Sequence, residues 1–169
     1  IKGGAGNDTA NGNQGSDTIT GGAGDNILKG DAGADIVIGG AGDDYLMGGL
    51  GDDSLNAGAG DDTLSGGVTG DDTLIGASGM DVMNGNAGND TMAGGTGDDF
   101  IKGDLGDDSL DGGLGDDTLQ GGKGSDFLNG GAGNDVLSGG DGADVLYGGT
   151  GDDIVSGGTG NDIIYGGAG

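Results

Sequence analysis

The chain has no cysteine, proline, histidine or tryptophan, and only two Phe and three Tyr among its 169 residues. Its charge is almost all of one sign, with 30 aspartates and no glutamate facing four lysines and no arginine, for a formal net charge of −26. Each absence excludes something. Without cysteine there is neither a disulfide framework nor a thiolate zinc site, which agrees with an exported bacterial-type protein without requiring export. Without proline or a strict three-residue period, the 51 glycines are not collagen. With four lysines in all there is no basic patch to meet nucleic acid. No apolar run is long enough to span a bilayer, and the opening Ile1-Lys2-Gly3 carries no signal-peptide pattern. The missing cations pose the main question. In GDDSLNAGAGDDTLS, residues 51–65, the pairs Asp52-Asp53 and Asp61-Asp62 lie nine residues apart with nothing positive between them, and like charges that close repel.

The answer begins with a period. From Gly3 the chain divides into eighteen nonapeptides, the first GGAGNDTAN and the last GGTGNDIIY, followed by a partial GGAG at 166–169. One unit, GGVTGDDTLI at 66–75, carries an extra residue. The common pattern is G-G-x-G-x-D-x-U-x with U apolar. Position six is aspartate in seventeen units: Asp8, Asp17, Asp35, Asp44, Asp53, Asp62, Asp72, Asp81, Asp90, Asp99, Asp108, Asp117, Asp126, Asp135, Asp144, Asp153 and Asp162; Asn26 departs. Position four is glycine throughout, with Gly70 serving in the enlarged unit, and position eight is Ile, Leu, Val or Met in all but the first, where it is Ala10.

Glycine at positions one, two and four lets the backbone turn with positive φ and approach a ligand closely, so the first six residues are expected to be a turn. The last three, such as Thr63-Leu64-Ser65, read as a short strand whose central side chain faces inward. One such unit cannot bury its apolar residue alone. Two in succession make an eighteen-residue coil with strands on opposite walls, and stacked coils give two parallel sheets over a thin core. The expected fold is all-β, a parallel β-roll of the β-helix or solenoid type with two nonapeptides per coil and about nine coils, a rod roughly 43 Å long. Residues 1–169 are read as a single repeat domain, and as a fragment of a longer protein because the chain starts and stops inside a repeat.

Carbonyls of an extended turn alternate in direction, so positions one and three can face one side and positions two and four the other, while the aspartate offers one oxygen to each. Two stacked turns then supply a six-oxygen set, which suits calcium rather than zinc or a water-retaining magnesium. Eight gaps in each of two columns allow up to about 16 interior calcium sites, whose charge offsets the −26 in sign and rough size. The second acid of each pair, at position five (Asp43, Asp52, Asp61, Asp98, Asp107, Asp116), is expected to face solvent and raise the local negative potential without binding directly. Irregular units predict weaker sites: Asn26 lacks the charge, Ala57 replaces the first glycine, Asn13, Asp31, Ala77, Asn86 and Asp104 replace the second, and Val68-Thr69 enlarges one turn next to the sites of Asp53 and Asp90. Outward Lys29 and Lys102 offset local charge.

Over nearly its whole length the chain resembles the RTX (repeats-in-toxin) family of calcium-binding nonapeptide repeats, on the strength of eighteen units in register. The resemblance implies a parallel β-roll with calcium between successive turns, and export as an unfolded chain through a dedicated secretion channel. High net charge with few aromatics is also the composition of disorder. Both descriptions fit one expectation: disorder without calcium, folding on calcium binding outside the cell, in a secreted or cell-surface protein. No catalysis is expected, since the carboxylates recur identically with no His, Cys, Arg or Glu beside them. Rival readings are a soluble glycine-rich linker, a calcium-dependent ice-binding repeat, and a building block of an adhesin, surface layer or filament. The last draws on Phe127, Val136, Val145, Ile154 and Ile163 at outward position seven, on Tyr147 and Tyr165 expected to stack on one face, and on unpaired strand edges at the rod ends.

Overall fold

A computed structural model describes residues 1–169. It contains nineteen strands and no helix, from β1 (Lys2–Ala5) to β19 (Ile163–Ala168). Odd-numbered strands pair in parallel as one ten-stranded sheet and even-numbered strands as a nine-stranded one, each strand beside those two before and two after it in sequence. The chain thus winds as a solenoid, one coil per eighteen residues, as the period predicts.

The strands are twice as long as the three residues expected. β13 (Ser109–Leu114), like nearly all the others, has six residues and runs from position seven through position three of the following unit. The reason is visible in the burial, which alternates from position six onward: Asp108, Leu110 and Gly112 are inside, and Ser109, Asp111 and Gly113 lie toward the outside. The glycines at positions one and two therefore continue the strand instead of ending it. Between β13 and β11 (Thr91–Thr96) the register runs Met92 to Leu110 and Gly95 to Gly113, and it skips the inward glycines at position one. Position two keeps positive φ even where glycine is replaced, at Asn13, Asp31, Asn86 and Asp104, which tolerate the left-handed region, and at Ala77 (φ 86), which does not do so readily.

Position eight forms the core. Ile19, Leu28, Val37, Leu46 and their counterparts through Leu146 join Ala57 in a single buried cluster, with Ala10 and Val155 partly covered at its ends. Leu110→Ala is expected to lower stability in saturating calcium by about 2–5 kcal/mol, the range for a buried Leu that leaves a cavity, read as a shift of the denaturant midpoint. Ile164→Ala, at a residue 47% exposed, is expected to shift it by about 0.5 kcal/mol or less.

The two outer faces differ. Positions seven and nine of the nine-stranded sheet carry no aspartate; they include Ile27, Tyr45, Val82, Phe100, Val136 and Ile154, with Lys29 and Lys102 beside them. Lys102 Nζ lies 2.5 Å from Asp104 Oδ1. The ten-stranded face has a hydroxyl run, Ser54-Thr73-Thr91-Ser109, then turns apolar. There Val145 pairs with Ile163, and Tyr147 stacks on Tyr165 with centroids 4.6 Å apart, as the eighteen-residue spacing predicts. The extra residue of the enlarged unit is absorbed as a bulge in β8 (Thr63–Thr69), where the register against the preceding coil shifts between Gly49 and Leu50.

Candidate metal centres

The turn proper is only positions four to six, such as Gly106-Asp107-Asp108. Its two ends are tied to neighbouring coils: Gly106 N–H donates to the Lys123 carbonyl of the next coil at 2.9 Å, while Asp108 C=O accepts the Phe127 N–H at 2.8 Å. The N–H groups of positions five and six have no carbonyl partner in this arrangement, and a buried backbone donor needs one. Side chains supply both.

At position six, each aspartate beyond the first of its column reaches back to the preceding coil. Asp108 Oδ1 accepts the Asp90 N–H at 2.8 Å, and Asp108 N–H in turn donates to Asp126 Oδ1 at 2.9 Å. The same bond recurs along both columns. One column holds Asp8, Asn26, Asp44, Asp62, Asp81, Asp99, Asp117, Asp135 and Asp153; the other holds Asp17, Asp35, Asp53, Asp72, Asp90, Asp108, Asp126, Asp144 and Asp162. From Asp35 to Asp144 these side chains are buried. At position five the reach is forward: Asp61 N–H donates to Asp43 Oδ1 at 3.0 Å, Asp116 N–H to Asp98 Oδ1 at 2.9 Å, and Ser125 N–H to Asp107 Oδ1 at 2.7 Å. These carboxylates are exposed, as expected, and they also hold successive coils together, a role beyond the electrostatic one expected of them.

The second oxygen of each interior aspartate has nothing. In sixteen units, from Asp8 through Asp153, Oδ2 is buried without a hydrogen-bond partner. Around it the backbone is bare on purpose of space: a Cβ at Gly103 would overlap Asp108 Oδ2 and fall 2.6 Å from the Gly121 carbonyl oxygen of the next coil. Only hydrogen at position one leaves the carboxylate oxygen and that carbonyl facing the same small volume. Ala57 is the exception, its methyl taken into the core.

Sixteen buried oxygens without donors are a large electrostatic liability. Burial pushes the carboxyls of Asp72, Asp108 and Asp117 up to about 7 and those of Asp53, Asp62, Asp99 and Asp126 up to about 6, against the pull of the N–H bond from the preceding coil. Neighbouring aspartates of the same column add to the rise at Asp72 and Asp108. What the place lacks is positive charge. No three acidic side chains gather into one chelating cluster, so a cation here would meet single carboxylates joined by backbone carbonyls. That all-oxygen set fits calcium and offers nothing to a soft metal.

The distortion expected around the enlarged turn is not found at its aspartate. Asp53 N–H to Asp72 Oδ1 and Asp72 N–H to Asp90 Oδ1 are both 2.8 Å. The bulge takes up the extra residue on the strand, two residues before the turn's aspartate pair, so position six stays in line.

A family profile described as the RTX calcium-binding nonapeptide repeat (4 copies) matches residues 2–37, 38–68, 66–101, 84–119, 102–137, 111–146 and 138–169. No curated protein matches the chain.

Proposed function

The chain belongs to the RTX calcium-binding nonapeptide repeat family, and from that premise we propose that calcium assembles its β-roll: the chain is disordered without the ion and folds on binding it outside the cell, as a module of a secreted or cell-surface protein. The observation that carries this reading is the set of buried Oδ2 atoms with no donor. A rod that buries them ionised and unpaired would oppose its own folding, and a divalent cation at each removes the opposition. The position-six aspartates from Asp8 to Asp153 would hold the ions through this free oxygen together with turn carbonyls, at up to about 16 interior positions, with Asp162 ending its column. Calcium supplies charge and a flexible oxygen coordination; the chain supplies the spacing that brings a carboxylate and turn carbonyls together at each gap an aspartate faces.

The surrounding structure supports coupling of binding to folding. The core takes little more than one apolar side chain from each strand, 51 of 169 residues are glycines with high chain entropy to lose, and the net charge is −26. Extracellular calcium modules bind at about 10⁻⁴–10⁻³ M, so such a chain would stay open in a calcium-poor cytoplasm and close after export. Repeats of this family typically occur in secreted proteins and are structural rather than catalytic, in keeping with carboxylates that recur without a distinct reactive site. A calcium titration followed by far-UV circular dichroism, with magnesium as control, is expected to show a cooperative coil-to-β transition with calcium alone. A β spectrum that persists in excess chelator at neutral pH would refute the folding switch.

A second reading, a self-assembling scaffold, draws on one feature: the exposed Tyr147-Tyr165 stack beside Val145 and Ile163. Sedimentation of the same calcium-loaded samples separates it from a monomeric module.

A further inference from the structure

Asn26 is the one position-six residue that is not an aspartate, and it is also the one whose side chain is fully paired. Its Oδ1 accepts the Asp8 N–H at 3.0 Å, as an aspartate Oδ1 would. Where the other units have the bare Oδ2, it has an NH₂ group. That Nδ2 donates to the Gly24 carbonyl of its own turn at 2.7 Å and to Asp44 Oδ1 of the next coil at 2.8 Å. Asp44 Oδ1 also accepts the Asn26 backbone N–H at 2.7 Å. The side chain is 1% exposed, so water plays no part. The amide cannot be turned over, because that would set its NH₂ against the Asp8 N–H, donor against donor.

The two acceptors that Nδ2 meets define the surroundings of this point in the repeat: a position-four carbonyl from one side and a position-six carboxylate from the next coil. Both are oxygens, and both are reached by a neutral donor with two hydrogens. We propose that the Asn26 amide is a built-in substitute for the cation, so that the gap between the turns of Asn26 and Asp44 closes without calcium while the aspartate gaps of both columns take the ion. This rests on the calcium reading above and adds a point specific to this chain. The rod then has one place where adjacent coils are joined by protein alone, near its N-terminal end, and one carboxylate fewer to neutralise there. The neighbouring unit on the other edge, with Asp35, keeps its bare Oδ2, so the effect is confined to one gap of one column.

Crystals of the calcium-loaded chain, measured at a wavelength where calcium scatters anomalously, place each ion individually. The wild-type chain is expected to show anomalous peaks between successive aspartate turns and none between the turn of residues 24–26 and that of 42–44. Asn26→Asp is expected to gain a peak there at the occupancy of its neighbours. A peak at that gap in the wild-type chain overturns the proposal, as does its absence in a variant that shows the other peaks. Maps with no peak anywhere in either protein would instead overturn the calcium reading itself. The wild-type map decides the matter even if the variant does not crystallise.

Discussion

Acidifying the calcium-free chain is expected to restore part of the β-structure that calcium induces, with far-UV ellipticity rising toward the sheet signal as pH falls from about 7 to about 4. A carboxyl whose pKa in the rod lies above its unfolded value of 3.8 binds its proton more tightly when folded; Asp72, Asp108 and Asp117 are raised to about 7 and Asp53, Asp62, Asp99 and Asp126 to about 6. The ion-free rod therefore gains stability from protonation that is fully present below the unfolded pKa and is lost as pH rises through the folded values. Protonation does two things at once: it removes charge from the buried Oδ2 atoms and reduces the self-repulsion of a chain at −26. With calcium present the direction reverses, since protons and the ion compete for the same oxygens, and the calcium midpoint should move to higher concentration below about pH 7. Sedimentation of the acid samples distinguishes a rod from an aggregate. A spectrum that stays coil-like in chelator from pH 7 down to 4 would show that hydration of the chain, and not the charge on these carboxylates, keeps it open.

Gly106→Ala is expected to destabilise the calcium-loaded rod far more than Gly103→Ala, although the two glycines are three residues apart in one unit. Gly106, at position four, has φ +136 and its Cβ would overlap the Gly88 carbonyl of the coil before, with the Gly88 carbonyl carbon at 2.6 Å and the Asn89 nitrogen at 3.2 Å. Everything it meets is backbone and cannot rotate away. Conformational strain of about 1–2 kcal/mol and overpacking of about 1–3 kcal/mol should together lower stability by about 2–5 kcal/mol. Gly103, at position one, has an ordinary φ and meets chiefly a side chain, Asp108, along with the Gly121 carbonyl. Ala57 already occupies the equivalent place within the core. The alanine at 103 should therefore leave the coil stacked but crowd the Asp108 oxygen, so its effect should appear in the calcium midpoint, while that of Gly106→Ala appears in the denaturation midpoint even at saturating calcium. Equal losses of denaturation midpoint from the two variants would mean that turn geometry and ion site cannot be separated in this way.

These contrasts show where the sequence was legible. The solenoid, its eighteen-residue coil, the two parallel sheets and the position-eight core follow from period and polarity alone, because each depends on which residues recur and not on where atoms fall between coils. The strand length did not follow. Glycine at positions one and two signals a turn by composition, yet the alternation that begins at position six carries through both, and the inward glycine at position one is there to clear room for a carboxylate. The bonds made by Asp43, Asp98 and Asp107 to the next coil were not foreseen either. Counting backbone donors would have found them: once positions four and seven pair with neighbouring coils, two N–H groups per turn remain, and a short side-chain acceptor at positions five and six is the nearest remedy. In the sequence Asn26 is a missing charge; its second property, a donor in place of an acceptor, emerges only with Asp44 across the gap.

The alternation of strands between two sheets has a consequence for how such a chain can change length in descent. Gain or loss of eighteen residues adds or removes one coil and leaves every downstream residue on its own wall, since each coil touches only its neighbours. Gain or loss of nine moves everything downstream to the opposite wall: the core survives, because position eight is apolar in either sheet, but the face with Tyr45 and Phe100 at position seven would run on into the hydroxyl run of Ser54-Thr73-Thr91-Ser109. The nonapeptide is the unit of folding chemistry, and the pair of nonapeptides is the smallest unit that can be copied without rewriting the surface.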